Sequence, residues 1–200
     1  MSKAIFLGSF NPPHQGHYKA IKQVIDSGIM SELKIEKIHI IPCYQNPNKD
    51  KQIRYCDRYE MTKLIFDDLI KQNKVYVDDI EADRCPHYTY ELIEYFKTDV
   101  DEFIQHDFWW IITYETIQEL LDNKWFKSEN LLKYNKFIIL IKNEFEKNEI
   151  LREVNNINLK FIQIDTLPIH STQLRENLDK YSSFLNQKTL NYILKNKLYS

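Results

Sequence analysis

Residues 3–17 read KAIFLGSFNPPHQGH. The opening run KAIFL is apolar, too short for three helical turns and bounded by Gly8, so it predicts a buried strand. From about His17 to Ser27 the apolar spacing becomes helical, with Gly28 in the position of a C-terminal cap. Between strand and helix lies GSFNPPHQGH, 8–17. The chain has only three glycines, Gly8, Gly16 and Gly28, and two of them fall in this decapeptide beside two prolines and two of the six histidines. A strand, a short loop and a helix form the first half of a βαβ unit, and the alternation continues. KIHIIPC (37–43), VYVDDI (75–80), FWWIITY (108–114), KFIILIK (136–142) and FIQI (161–164) predict further strands. YCDRYEMTKLIFDDLI (55–70) and HYTYELIEYF (87–96) predict helices.

This order predicts the α/β class: a largely parallel sheet with helices on both faces, joined by right-handed crossovers. LNQKTLNYILKNKLYS (185–200) predicts a helix packing on the outside of the sheet. The 200 residues predict a single domain, 1–200, with 169–200 as a small C-terminal helical segment. Hydrophobic residues at 43% and aromatics at 14% suffice for a core without staples.

A formal net charge of −2 excludes a general polycation, so long nucleic acids are poor partners. Cys43, Cys56 and Cys85 are odd in number and widely spaced, which fits a reduced compartment and offers neither a zinc motif nor a disulfide framework. No apolar run approaches the roughly 18 residues of a membrane span, and the N-terminal AIFLGSF is too short for a secretory core. These features predict a soluble, cytoplasmic protein without membrane contact.

In open parallel sheets ligands bind beyond the carboxyl ends of the strands, where the decapeptide lies. Gly8 there lets a ligand approach the backbone, and Gly16 permits a tight entry into a helix whose free N–H groups suit an anion. Pro12 and Pro13 stiffen the connection, so His14 and His17 are held toward a common point. Two imidazoles can donate hydrogen bonds to oxygens whose charge grows during phosphoryl or nucleotidyl transfer, and no covalent nucleophile is evident. Either histidine alone reads more readily as a loop or cap residue. Gly8, Phe10, Pro12, His14, Gly16 and His17 together favour the chemistry. A second cluster, IHSTQLREN (169–177), predicts a helix start capped by Ser171 or Thr172. Arg175 falls on its first turn, as a fork for the β- and γ-phosphates and the departing pyrophosphate.

The decapeptide resembles the G-x-F-x-P-x-H-x-G-H loop of a nucleotidyltransferase superfamily. Further stretches resemble its nicotinate mononucleotide adenylyltransferases, so the likeness runs from residue 4 almost to the C-terminus. The resemblance implies a Rossmann-like fold with His14, His17 and Arg175 as catalytic residues, and Gly8, Ser9, Phe10 and Gly16 against ATP. Ile169, Ser171, Thr172 and Arg175 match I-S-S-T-x-x-R, implying further ATP contacts; His170 replaces the first serine. PNK (47–49) resembles a Pro-His-Lys loop, with Asn48 in place of histidine, and implies Lys49 near phosphate. HYTYEL (87–92) resembles Ser-Tyr-Thr-Tyr-Asp-Thr and implies Thr89 near the pyridine carboxylate. NKWFKSENLL (123–132) resembles a Pro-Lys-Trp segment and implies Trp125 as the platform for the nicotinate ring. IITYET (111–116) departs from Ile-Ile-Gly-Ala/Gly-Asp: Thr113 and Tyr114 replace small residues, and Glu115 takes the aspartate's place at the ATP ribose.

The resemblance implies adenylyl transfer from ATP to nicotinate mononucleotide, giving deamido-NAD and pyrophosphate in NAD biosynthesis. Mg²⁺ would ride on the ATP phosphates rather than in a protein metal site. The alternatives are a sister transferase acting on nicotinamide mononucleotide, phosphopantetheine or glycerol phosphate, and a nucleotide sensor without chemistry. A class I aminoacyl-tRNA synthetase shares the H-x-G-H loop, but the chain is too small and lacks that enzyme's second, lysine-rich signature.

Overall fold

The structure, a computed structural model, describes residues 2–45, 52–85, 88–98, 108–154 and 158–199. Six strands form one sheet: β1 (Ser2–Gly8), β2 (Ile35–Pro42), β3 (Val75–Val77), β4 (Phe108–Thr113), β5 (Lys136–Ile141) and β6 (Asn158–Gln163). Their order is β3-β2-β1-β4-β5-β6, and every pairing is parallel. This is the doubly wound Rossmann order, in which the direction of winding reverses between β1 and β4 and leaves a crevice beyond their carboxyl ends.

Side-chain alternation along the strands divides the core in two. On one face Ala4, Phe6, Ile38, Ile40, Trp109, Ile111, Ile138 and Leu140 pack with residues of α1 (Gln15–Asp26), α2 (Ile29–Glu32), α3 (Tyr55–Ile65) and α4 (Asp67–Lys71). On the other face, Ile5, Ile41, Trp110, Ile112, Phe137, Ile139 and Ile141 pack with residues of later helices. These are α6 (Thr89–Thr98), α7 (Tyr114–Leu121), α8 (Ser128–Tyr134) and α9 (Glu144–Glu153). The short α5 (Ile80–Arg84) follows β3. Helices therefore cover both faces, and no helix among the described residues is long and apolar enough to cross a membrane.

The elements stop where side chains capture the backbone. At the end of β4, Thr113 Oγ1 accepts the Thr116 N–H at 3.3 Å, so Tyr114 opens α7 instead of extending the strand. Beyond β3, Asp78 Oδ1 accepts from the Ile80 N–H at 3.1 Å and cuts the strand to three residues. The helix expected over 55–70 is two, because Phe66 leaves helical geometry at φ −98°, ψ 9° with its ring fully buried. Gly28 takes φ +80°, the left-handed value that suits glycine just past a helix.

The C-terminal segment, expected on the sheet, packs elsewhere. It comprises α10 (Ser171–Glu176), α11 (Leu178–Tyr181), a 3-10 turn (Ser182–Phe184) and α12 (Gln187–Lys195). Ile169, Leu174, Leu185 and Ile193 bury against Met61 of α3 in a third apolar cluster. Tyr192 Oη donates to Asp57 Oδ1 at 3.0 Å, and Asn186 Nδ2 to the Leu64 carbonyl at 2.9 Å. Its apolar stripe meets the helix that already covers the sheet.

Candidate active site

The loop between β1 and α1 is shaped by its glycines, through its own side chains. The nearest atoms to a Cβ placed on Gly8 would be those of the Phe10 ring, at 2.9–3.2 Å. Phe10 takes φ +46° and folds back beneath Gly8, with 1% of its surface exposed. A Cβ on Gly16 would lie 2.9 Å from Cε1 and Nδ1 of His14. Both glycines thus clear space for a ring two residues away. The sequence reading gave Gly8 to a close-approaching ligand, and the structure adds Phe10 as a reason of its own.

With that space open, the two imidazoles lock one another. His14 caps α1: its Nδ1 accepts the Gly16 N–H at 3.1 Å, while its own N–H donates to His17 Nδ1 at 3.1 Å. The rings lie against each other tilted by 35° with centroids 3.8 Å apart, and the Phe10 ring meets His17 edge-on at 5.1 Å. A ring nitrogen that accepts an N–H carries no proton, so in both histidines the proton sits on Nε2. Burial, and secondarily the charge of His170, lowers the His14 pKa to about 4. At neutral pH His14 is an uncharged donor with a fixed tautomer.

The C-terminal cluster closes over the same loop. Arg175 Nη1 donates to the Asn11 carbonyl at 2.7 Å, Ser171 Oγ to the Pro12 carbonyl at 2.9 Å, and Tyr199 Oη to Asn11 Oδ1 at 2.7 Å. Arg175 Nη2 rests on Thr172 Oγ1 at 3.1 Å. The cap of α10 is His170, one residue before the expected Ser171 or Thr172: its N–H donates to Gln173 Oε1 at 2.7 Å, which frees the Ser171 hydroxyl to reach the loop. Ile169 is buried in the third cluster, with its Cγ2 3.6 Å from the Cβ position of Gly16.

A cavity of about 440 Å³ opens beyond the ends of β1 and β4. Of the expected site residues it is lined by Gly8, Ser9, His17, Thr89 and Trp125. Trp125 is fixed by its indole N–H, which donates to Glu119 Oε2 at 2.8 Å. Phe10, His14, Gly16, Ile169, Ser171, Thr172 and Arg175 form the layer around the loop rather than the cavity wall. Glu115 is turned away: its side chain is 60% exposed and paired with Lys142 at 2.7 Å. Thr113, at the end of β4, and Thr116, on the first turn of α7, line the cavity instead. Lys49 lies outside the described residues.

Sequence reasoning missed Glu81, Gln45, Tyr88 and Phe126 in the wall, and the buried Arg58 behind it. Glu81 follows the third strand, so the rule that ligands gather beyond strand ends could have found it. Arg58 sits on the buried face of α3 with Met61, Thr62 and Ile65, an unusual place for a guanidinium.

The sequence is similar to known proteins over nearly its whole length. The cytidylyltransferase-like family model matches residues 5–177. A probable nicotinate-nucleotide adenylyltransferase from Hydrogenobaculum sp. is 30% identical over all of this chain and 99% of its own length. Another from Leptospira interrogans is 28% identical over 98% of this chain and 96% of its own. Among solved structures, a bifunctional NMN adenylyltransferase/ADP ribose pyrophosphatase from Francisella tularensis aligns with TM-score 0.39 and 15% identity over 94% of this chain and 44% of its own. That distant likeness carries no weight for the site. The family match spans the strands, the histidine loop and the C-terminal cluster alike, and the chain belongs to the cytidylyltransferase-like family, with the nicotinate-nucleotide adenylyltransferases, as a nucleotidyltransferase enzyme.

Proposed function

We propose that the protein transfers the adenylyl group of ATP to nicotinate mononucleotide, forming deamido-NAD and pyrophosphate. The observation that carries this reading is one cavity with His17 at the loop end and Trp125 with Thr89 among its other walls. An indole face suits a flat pyridine ring, through stacking and burial together. The full-length likeness to probable nicotinate-nucleotide adenylyltransferases supports the choice of acceptor.

In the reaction, a phosphate oxygen of the mononucleotide attacks the α-phosphorus of ATP in line. The bond from that phosphorus to the bridging oxygen breaks, and pyrophosphate leaves with the electron pair. The attacking group is already anionic near neutral pH, so no base is needed. The protein's task is to align two polyanions and stabilise the α-phosphoryl oxygens as their charge grows. A neutral Nε2–H suits that work, because it donates a hydrogen bond and keeps its proton near neutral pH. Arg175, tied to the loop at Asn11, brings a positive charge to the triphosphate side. Among the described residues no group of three or more His, Cys, Asp or Glu side chains is placed to hold a metal. The Mg²⁺ of this proposal is carried on ATP's own oxygens, where it neutralises triphosphate charge.

The test is pyrophosphate release with Mg·ATP and a panel of nicotinate mononucleotide, nicotinamide mononucleotide and phosphopantetheine. The highest kcat/KM is expected with nicotinate mononucleotide. Preference for another acceptor overturns the substrate assignment, and ATP binding without turnover of any acceptor overturns catalysis.

A further inference from the structure

One peptide unit in the cavity wall is gripped from both sides. The Cys43–Tyr44 peptide lies just beyond β2, where the Cys43 N–H still donates to the Gly8 carbonyl at 2.9 Å. Its N–H, on Tyr44, donates to Glu81 Oε2 at 2.5 Å. Its carbonyl, on Cys43, accepts from Arg58 Nη1 at 2.6 Å. The same guanidinium donates to the carbonyls of Tyr44 at 2.6 Å, Ser9 at 2.8 Å and Ile53 at 3.2 Å. Arg58 is 1% exposed and Glu81 4% exposed. A buried guanidinium that donates to backbone carbonyls of several segments, here with its Cζ over the Tyr55 ring at 5.5 Å, fixes those segments relative to one another. Here it joins the loop after β1 to the segment after β2, and Glu81, from beyond β3, completes the grip. Ser9, Cys43, Gln45 and Glu81 all line the cavity that holds Thr89 and Trp125.

We propose that Glu81 and Arg58 are positioning residues whose hold on the Cys43–Tyr44 peptide sets the wall of the acceptor chamber, so that recognition of the mononucleotide, more than of ATP, depends on Glu81. The role in recognition rests on the reading above; the grip itself does not. Burial raises the Glu81 pKa to about 7, against the lowering effects of the Tyr44 N–H and the Arg58 charge. The titratable groups facing it come from α3, namely Arg58 and Tyr55, and Arg58 in turn feels Cys43 and Tyr199. Protonation below about pH 7 removes the charge from the acceptor of the Tyr44 N–H and weakens the grip.

Two measurements test this. In the wild type labelled with ¹⁵N-tyrosine, the Tyr44 amide resonance is expected to titrate with a midpoint near pH 7, and in Glu81→Gln to stay still. In steady-state kinetics at pH 8, Glu81→Gln is expected to raise the KM for the mononucleotide about tenfold, with kcat and the KM for ATP within about twofold. The ratio of mutant to wild-type KM should fall toward one as pH drops below 7. The substrate phosphate titrates near pH 6 in both proteins and cancels in that ratio. A Tyr44 amide that shows no titration in the wild type anywhere from pH 8 down to pH 4 overturns the grip, whatever the enzyme's substrate and whether or not the mutant folds. A titrating amide with unchanged acceptor KM overturns the role in recognition. If the wild type adenylylates no acceptor in the panel, the recognition role falls with that reading, and the amide titration alone judges the grip.

Discussion

Two adjacent strand ends, β1 and β4, flank the crevice and solve the same problem differently. Beyond β1 the ring geometry is set locally: glycines at 8 and 16 make room for Phe10 and His14, and the backbone N–H groups of Gly16 and His14 fix the tautomers of His14 and His17. Arg58, Ser171, Arg175 and Tyr199 hold the loop from distant elements. Beyond β4 the small residues of the family pattern are gone. Thr113 caps α7, the Tyr114 hydroxyl donates to Glu149 at 2.6 Å, and Glu115 pairs with Lys142, so two side chains reach outward to other elements. Contacts within a few residues, such as those that set the two imidazoles, can be read from a loop's own sequence. Contacts to partners 27 and 35 residues away at β4, or 159 to 188 away at the β1 loop, cannot.

If the β1 loop carries the chemistry, its substitutions should dominate. His17→Ala is expected to lower kcat by about 10² to 10³, the loss seen when one preorganised donor to a developing oxyanion is removed, while the unfolding transition stays cooperative. An unchanged turnover would remove His17 from the mechanism. Gly16→Ala places a methyl where the His14 ring lies and should cost about 10² in kcat/KM through misplacement of that ring. Its control is Gly28→Ala, at φ +80° with nothing within 4 Å of the added carbon. That change should destabilise by about 1 kcal/mol and leave kcat/KM alone. Equal losses of activity at the two glycines would mean that the His14 packing is irrelevant.

At the β4 end the smallest effect is expected. Glu115→Ala removes an exposed pair with Lys142, typically worth under about 1 kcal/mol, and should change the KM for ATP less than about threefold. A rise of tenfold or more would show that Glu115 leaves Lys142 to hold the ribose, and the contrast between the two strand ends would narrow.

The four inner strands were legible because each is a short apolar run, and parallel strands buried on both faces advertise themselves in that way. The edge strands show less of themselves, β3 stopping at Val77 and β6 beginning at Asn158, ahead of the apolar run at 161. The break at Phe66 was not: its cause is a ring drawn into the core, which the helical spacing of 55–70 does not reveal. The C-terminal helix was legible as an amphipath, but its stripe says only that something apolar lies opposite, and that turned out to be α3. In the site, spacing brought out the histidines, and the family resemblance brought out Trp125. Arg58 and Glu81 stayed hidden because their partners are backbone atoms, which leave no mark in a sequence.

The central claim is that His14 and His17 act as neutral donors with the proton on Nε2. Long-range ¹H–¹⁵N spectra of the imidazoles, recorded from pH 8 down to pH 4, test it directly. The expected result is an Nε2–H tautomer for both rings at pH 7.5, with His14 neutral until the pH nears 4. Because that pKa lies below the usual 6.5, His14 should also give stability that is full above pH 6.5 and lost as pH falls through 4. Nδ1–H tautomers, or a His14 ring that charges near pH 6.5, would contradict the account.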